Sequence, residues 1–306
     1  METTNKRPLY GRLAFLALLV CALVAILGLS ACSGSSDDEG STAEGSAATE
    51  TETEGSDDED DASATATGTL IVGFDEAYPP YGFIDDDGEY TGFDLDLAQA
   101  VCDKLGWELE LEPIDWDAKD TLLNSGVINC IWNGFTMEGR EDDYTFSEPY
   151  MLNEQVIVVK ADSGIESFDD LAGATVVTQV DSAALDVLEG DQADLAATFT
   201  SLDTIADYNT AFMQLESGAV TAVACDLSIA EYQISANPDA YVMLDEALSS
   251  EHYAVGFKLG DEETAEAVNE ALIELYEDGT VEELCEKYSD YGLSYDNWVL
   301  TGESEE

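Results

Sequence analysis

From residue 68 onward the chain alternates short β-branched apolar runs with segments whose apolar residues recur at helical spacing, and several of those segments stop at a glycine. That order constrains the fold more than any other feature, because strands separated by helices pack as a sheet covered by helices. GTLIVGF (68–74) reads as a strand. Phe93 to Leu105 then places Leu95, Leu97, Ala98, Val101, Cys102 and Leu105 at near-helical spacing, with Gly106 as its C-cap. Trp107 to Leu111 is the next strand, so this part predicts an α/β lobe. Between the first strand and the helix, Tyr78-Pro79-Pro80-Tyr81 cannot continue a central strand, and IDDDGE (84–89) carries an Asp-Gly step suited to a tight reversal.

The pattern continues. Leu122 and Leu123 belong to a short helix ending near Gly126, and Val127 to Trp132 reads as a buried strand delivering Asn133, Gly134 and Thr136 at its carboxyl end. Ligand sites of open α/β sheets lie at such strand ends; ordinary turn chemistry is the competing role for Asn133 and Thr136. Val156 to Lys160 is a strand that can leave this lobe, and a second lobe begins after residues 161–164. There Ser167 and Asp170 have capping-box spacing, Gly173 precedes ATVVTQV, and Asp181-Ser182 opens a helix through Leu188. Ser182 is either a plain N-cap or a hydroxyl aimed, with early-turn amides, at an anion. Thr204 to Leu215 is predicted as a helix and Ala219 to Cys225 as a strand ending at Asp226. YAVGF (253–257) is a last strand, followed by a helix over Glu262 to Glu277 that Gly279 ends. Thr280 and Glu283 form a further capping box. Residues 68–306 suffice for a large core divided between two lobes.

What precedes residue 68 has a different composition. Lys6, Arg7 and Arg12 flank an apolar run from Leu13 to Leu29 that ends Leu29-Ser30-Ala31-Cys32, the layout of an export signal. The run is slightly short for an uncleaved transmembrane anchor, the alternative reading. Residues 33–67 contain only Ser, Gly, Ala, Thr, Asp and Glu. Such a segment buries too little apolar surface to offset its ordering entropy, and its like charges extend it, so it reads as a tether.

The chain carries 68 acidic and 9 basic residues, a formal net charge of −59. Nucleic acid is thereby a poor partner, because phosphate recognition needs basic residues. Beyond Arg12 the only arginine is Arg140, within WNGFTMEGREDDYTFSEPY (132–150). A planar fork of donors suits a carboxylate; a surface cap or an ion pair with an acidic neighbour is the plainer role. Cys102, Cys130, Cys225 and Cys285 have no CxxC spacing, and His252 is the only imidazole, which argues against a zinc site. Their apolar neighbours suit buried thiols, and a Cys102–Cys130 disulfide is the alternative in an oxidising compartment.

VGFDEAYPPYGF, GEYTGFDLDLAQAV, LLNSGVINCIWNGFT, FSEPY, SFDDLAGATVVTQVDSAALDVL, VACD and YAVGFKLGDEE, in that order, resemble the polar amino-acid binding proteins of ABC importers, the bacterial extracellular solute-binding protein family 3. The resemblance spans Thr69 to Trp298. It implies a type II periplasmic-binding-protein (Venus flytrap) fold, α/β in two lobes with two crossover hinge strands. Lobe 1 would comprise 68–158 and 251–300, lobe 2 159–250, and 301–306 an acidic tail. Leu29 to Cys32 likewise resembles a bacterial lipoprotein box, implying cleavage of 1–31, lipidation of Cys32 and a monomer held on the outer face of the cytoplasmic membrane beside ABC permease subunits.

The resemblance assigns the ligand carboxylate to Arg140, supported by Thr136 and the amides around Ser182 and Ala183. It assigns the α-ammonium to Asp226, the Gly134 carbonyl and the Thr136 hydroxyl. A zwitterion needs donors at one end and acceptors at the other, in a cleft where charge pairing strengthens. Tyr78 and Trp116 would wall the ligand side chain, with Asp75 and Glu76 near its far end; a Pro-Pro turn and the core are their structural alternatives. The sequence departs from the family pattern in three places: one residue fewer between Thr136 and Arg140, Asp181 in place of a usual glycine, and Asn129 in place of a usual aspartate. No cofactor or metal is implied. A dehydratase-like enzyme acting on a small carboxylic acid on the same scaffold is the competing function, with Asp75 or Asp226 as its acid or base. A calcium-binding acidic domain is a third; the turn Asp85-Asp86-Asp87-Gly88 lacks the full ligand series of a calcium loop.

Overall fold

The computed structural model describes residues 68–85 and 87–302. The expected export signal, Cys32, the acidic spacer, Asp86 and most of the acidic tail lie outside the described residues. In the first of two large sheets, the Thr69–Phe74 strand lies between Glu108–Pro113 and Cys130–Ile131, and the sheet continues through Gly256–Lys258 to Tyr144–Phe146. Thr69–Phe74 pairs in parallel with both neighbours, whereas Gly256–Lys258 is antiparallel to both of its own. A parallel pair requires a crossover, which the Phe93–Leu105 helix provides. That helix buries Leu95, Leu97, Ala98, Val101 and Cys102 and stops at Gly106, whose left-handed backbone (φ 71°) lets its N–H close on the Cys102 carbonyl. The helix packs on Glu262–Glu277.

The second sheet runs Ser201–Ile205, Thr175–Gln179, Ala222–Asp226, Met151–Lys160, Tyr241–Met243, and Ser249–Tyr253 also pairs with Met151–Lys160. Its central Ala222–Asp226 strand is buried at every residue, as AVAC allows and Asp226 does not by itself explain. Each fully buried Val- or Leu-sized side chain contributes about 1.5–3 kcal/mol. The chain leaves the first sheet after Phe146, enters Met151–Lys160, and returns through Ser249–Tyr253 into Gly256–Lys258. These two connecting strands lie side by side, Met151 opposite Tyr253 and Asn153 opposite Glu251. Two lobes joined by two adjacent strands is the architecture expected. No helix among the described residues is long and apolar enough to cross a membrane.

Local departures have identifiable causes. The helix expected over Thr204 to Leu215 is instead a strand, Ser201–Ile205, and a helix, Tyr208–Ser217, with Asp207 accepting from the Thr210 amide at its start. The free edge of Thr175–Gln179 claims residues 201–205 in register, and tertiary pairing overrides local periodicity. Val127 to Trp132 contributes only Cys130–Ile131 as strand. The Leu227–Ala236 helix was not expected, since its polar residues blur the apolar repeat. Ser167 and Asp170 do form a capping box, on a single 3-10 turn. The Thr280–Glu283 box does not form: Gly279 is the N-cap, and Thr280 donates to Asp278. All four folded-part cysteines are buried free thiols, Cys102 and Cys130 included.

Candidate functional site

Strand ends and turns from both lobes converge on a cavity with an empty volume of about 290 Å³. Tyr78, Trp116, Gly134, Thr136 and Arg140 of the first lobe face Ser182, Ala183 and Asp226 of the second across it, and Phe135, Gln179 and Asp181 complete the lining. Eight of the nine residues selected from the sequence thus meet in one place. Asp75 does not line this cavity. Its Oδ2 accepts from the Trp116 indole (3.0 Å) and the Gln179 amide (2.8 Å), and its Oδ1 from the Ala77 amide (2.8 Å). Asp75 therefore ties the two lobes together from behind Trp116 and borders, with Glu76, a neighbouring cavity instead.

At one end of the cavity sits the Arg140 guanidinium. The shortened stretch after Thr136 closes into a turn in which the Arg140 amide donates to the Met137 carbonyl (3.1 Å). Nη1 donates to the Thr136 carbonyl (3.4 Å), and Nη2 donates to the Asp181 carbonyl and to Asp186, both 3.1 Å away. The guanidinium carbon lies 4.9 Å from the Phe135 ring centroid, and Phe135 in turn stacks on Trp116 at 6.1 Å. Arginine carries five N–H donors, so donors remain for an anion in the cavity. Opposite it, Ser182 caps the Ala183–Glu189 helix, accepting from the Leu185 amide; the plain N-cap and the place at the cavity coexist.

The other end is anionic and buried. Asp226 is 4% exposed, and its Oδ1 accepts from Asn153 (3.0 Å), Gln155 (2.7 Å) and the Tyr253 hydroxyl (2.9 Å). Thr136 pairs by backbone with Tyr253, and its hydroxyl donates to Glu251 at 2.8 Å. With its one proton so committed, Thr136 Oγ1 is left as an acceptor. Gly134 adopts φ 57°, and a Cβ there would come within 3.2 Å of the Tyr78 and Tyr253 rings; its amide donates to Asp94 (2.7 Å). Burial pushes the Asp94 carboxyl up to about 7. The arrangement can hold a small molecule that carries an anion at one end and a cation at the other, between aromatic walls.

The departures from the family pattern also find their places. Asp181 takes the left-handed backbone a glycine would adopt, φ 54°. Its carboxylate pairs with Lys119 of the other lobe at 3.1 Å, so the added charge is partnered. Asn129 both accepts from the Ile71 amide and donates to the Thr69 carbonyl, a double contact that an ionised aspartate could not make. Reasoning from sequence missed Gln179, although it ends a strand as Asp226 does. It also missed Asn153, Gln155 and Glu251, which carry no motif. His252 lies outside the cavity and contacts Glu138, and the Asp85 carboxylate accepts the amides of Asp87 and Glu89.

Residues 70–291 match the family described as bacterial extracellular solute-binding proteins, family 3. The L-cystine-binding protein TcyJ of Escherichia coli is 32% identical over 224 residues, which is 72% of this chain and 82% of that protein. The arginine-binding extracellular protein ArtP of Bacillus subtilis is 30% identical over 224 residues, 72% of this chain and 85% of its own. Among solved structures, an ABC uptake transporter substrate-binding protein from Streptococcus pneumoniae with bound histidine superposes with a TM-score of 0.72. That pair is 32% identical and covers 76% of this chain and 96% of that one.

Proposed function

Because the chain belongs to the bacterial extracellular solute-binding proteins, family 3, we propose that it captures a polar amino acid outside the cytoplasm and hands it to the permease subunits of an ABC importer. The observation that carries this reading is the polarity of one cavity: the Arg140 guanidinium at one end, and at the other the buried Asp226 carboxylate, with no cationic side chain among the described residues bonded to it. An α-amino acid zwitterion matches that polarity. Its carboxylate takes the free donors of Arg140 and the amides at Ser182 and Ala183. Its ammonium donates to Asp226, to Thr136 Oγ1 and to the Gly134 carbonyl, while Tyr78 and Trp116 flank the side chain. The relatives named for cystine and arginine, and the one with bound histidine, support a polar amino acid as the ligand class. Binding and release proceed without bond making; lobe closure over the hinge strands sequesters the ligand. In the same reading Cys32 is lipidated, a monomer is held on the outer face of the cytoplasmic membrane, and residues 33–67 serve as its tether beside the permease.

Calorimetry of residues 68–306 against the common amino acids and L-cystine tests the proposal. One amino acid should bind tightly, and Arg140→Ala should weaken it at least about thirtyfold, since removing one partner of a desolvated charge pair costs about 2–5 kcal/mol. No binding across the panel, or binding indifferent to Arg140, refutes it.

A further inference from the structure

Behind the cation end of the cavity, in contact with its Thr136, lies a second buried carboxylate that none of the family motifs includes. Glu251 is 2% exposed and sits on the returning hinge strand. Asp226 sits on the strand at the other edge of Met151–Lys160. Between them, Asn153 and Gln155 project from Met151–Lys160 on one face, two residues apart. Each amide nitrogen donates to both acids: Asn153 to Asp226 at 3.0 Å and to Glu251 at 2.8 Å, Gln155 to both at 2.7 Å. Glu251 Oε1 also accepts a hydrogen bond from the Thr136 hydroxyl. No lysine, arginine or histidine among the described residues bonds to either carboxylate. The cluster is short of donors in another respect, because Gln155 Oε1 is buried without a partner. Two ionised carboxylates bridged only by neutral amides are unfavourable in a low-dielectric interior, and a cation arriving from the cavity relieves that imbalance.

We infer that Glu251 is a positioning residue of the ammonium site, which accepts a hydrogen bond from the Thr136 hydroxyl so that Oγ1 faces the cation as an acceptor, and which gives up its own carboxyl proton to solvent when the ammonium docks beside Asp226. The inference rests on the amino-acid reading above. Burial first, and then the neighbouring Asp226 charge, raise the Glu251 carboxyl above its usual 4.5, so in the empty site it retains a proton at a pH where an exposed glutamate has none. The other groups around it are Tyr253 on its own strand, Thr136, the amides of Asn153 and Gln155 and, beyond the Gly134 amide, Asp94, whose carboxyl burial also raises to about 7; the tyrosines do not titrate near neutrality, burial having raised Tyr78, Tyr81, Tyr208 and Tyr253 well above 10. An ammonium favours the ionised acid. Binding therefore releases a proton, and affinity rises with pH until Glu251 is ionised in the empty protein.

Titration calorimetry with the common amino acids and L-cystine, in two buffers of different ionisation enthalpy near pH 6.5, reads the proton directly. The wild-type protein should release part of one proton on binding, with affinity rising roughly tenfold from pH 5.5 to 7.5. In Glu251→Gln both should vanish, leaving affinity constant within about twofold. Binding with unchanged proton release in that variant overturns the inference and leaves the receptor reading intact. No binding of any of them to the wild-type protein removes the basis of both. Should Glu251→Gln fail to fold, a protein carrying both His252→Gln and Asp94→Asn decides: release that persists without those two groups sustains the inference, and its absence refutes it.

Discussion

Asp94 sits among apolar side chains of the first lobe, where it accepts from the Gly134 amide and the Tyr150 hydroxyl. Burial lifts its carboxyl from 3.8 to about 7. Between those two values the folded protein keeps a proton that the unfolded chain has lost. The contribution to stability is thus fully present below about pH 4 and is lost as pH rises through about 7. Melting temperature should fall from pH 5 to pH 8 in the wild-type protein and fall less in Asp94→Asn; parallel curves would show that Asp94 does not titrate there. Residues differ in how visible such roles are beforehand. Arg140 stands out because it is the one arginine in the folded part, and Asp226 because it ends an apolar strand. Glu251 is one of 68 acidic residues, and nothing local separates a buried glutamate from a solvated one. Asp75 was placed at the ligand's far end, but its two donors from opposite lobes make it an interlobe tie.

At the scale of elements, the turn from Thr175–Gln179 into the Ala183–Glu189 helix carries one of the three departures expected from the family resemblance. Asp181 accepts a left-handed backbone there, a conformation that disfavours an L side chain by about 1–2 kcal/mol, and it gains an interlobe pair with Lys119. That pair is partly exposed and contributes about 0.2–1 kcal/mol. Asp181→Gly should therefore raise the melting temperature more in a Lys119→Gln background than in the wild type. Equal effects in the two backgrounds would mean that the pair contributes nothing. Elements with a full apolar period and a glycine stop, such as Phe93–Leu105 and Glu262–Glu277, were legible from sequence. Residues 201–205 were not, since their strand exists only because the Thr175–Gln179 edge lies alongside.

Taken whole, the molecule carries a formal charge of −59, and self-repulsion on that scale disfavours the compact state. Added salt shortens the screening length from about 30 Å at 0.01 M to about 3 Å at 1 M. The melting temperature should climb steadily over that range, and one that does not move would show that the surface charges are already balanced by their arrangement. The strand and helix order and the glycine stops determine the α/β class and the two lobes, because hydrophobic period and turn chemistry are local properties written residue by residue, and the seven motifs point to eight of the eleven cavity residues. Only the tertiary structure decides which carboxylates are buried, which lobe each reaches, and how Asn153 and Gln155 join Asp226 to Glu251. Those relations depend on two hinge strands pairing across about a hundred residues of intervening chain, and burial and charge coupling arise from that proximity, not from any pattern along the sequence.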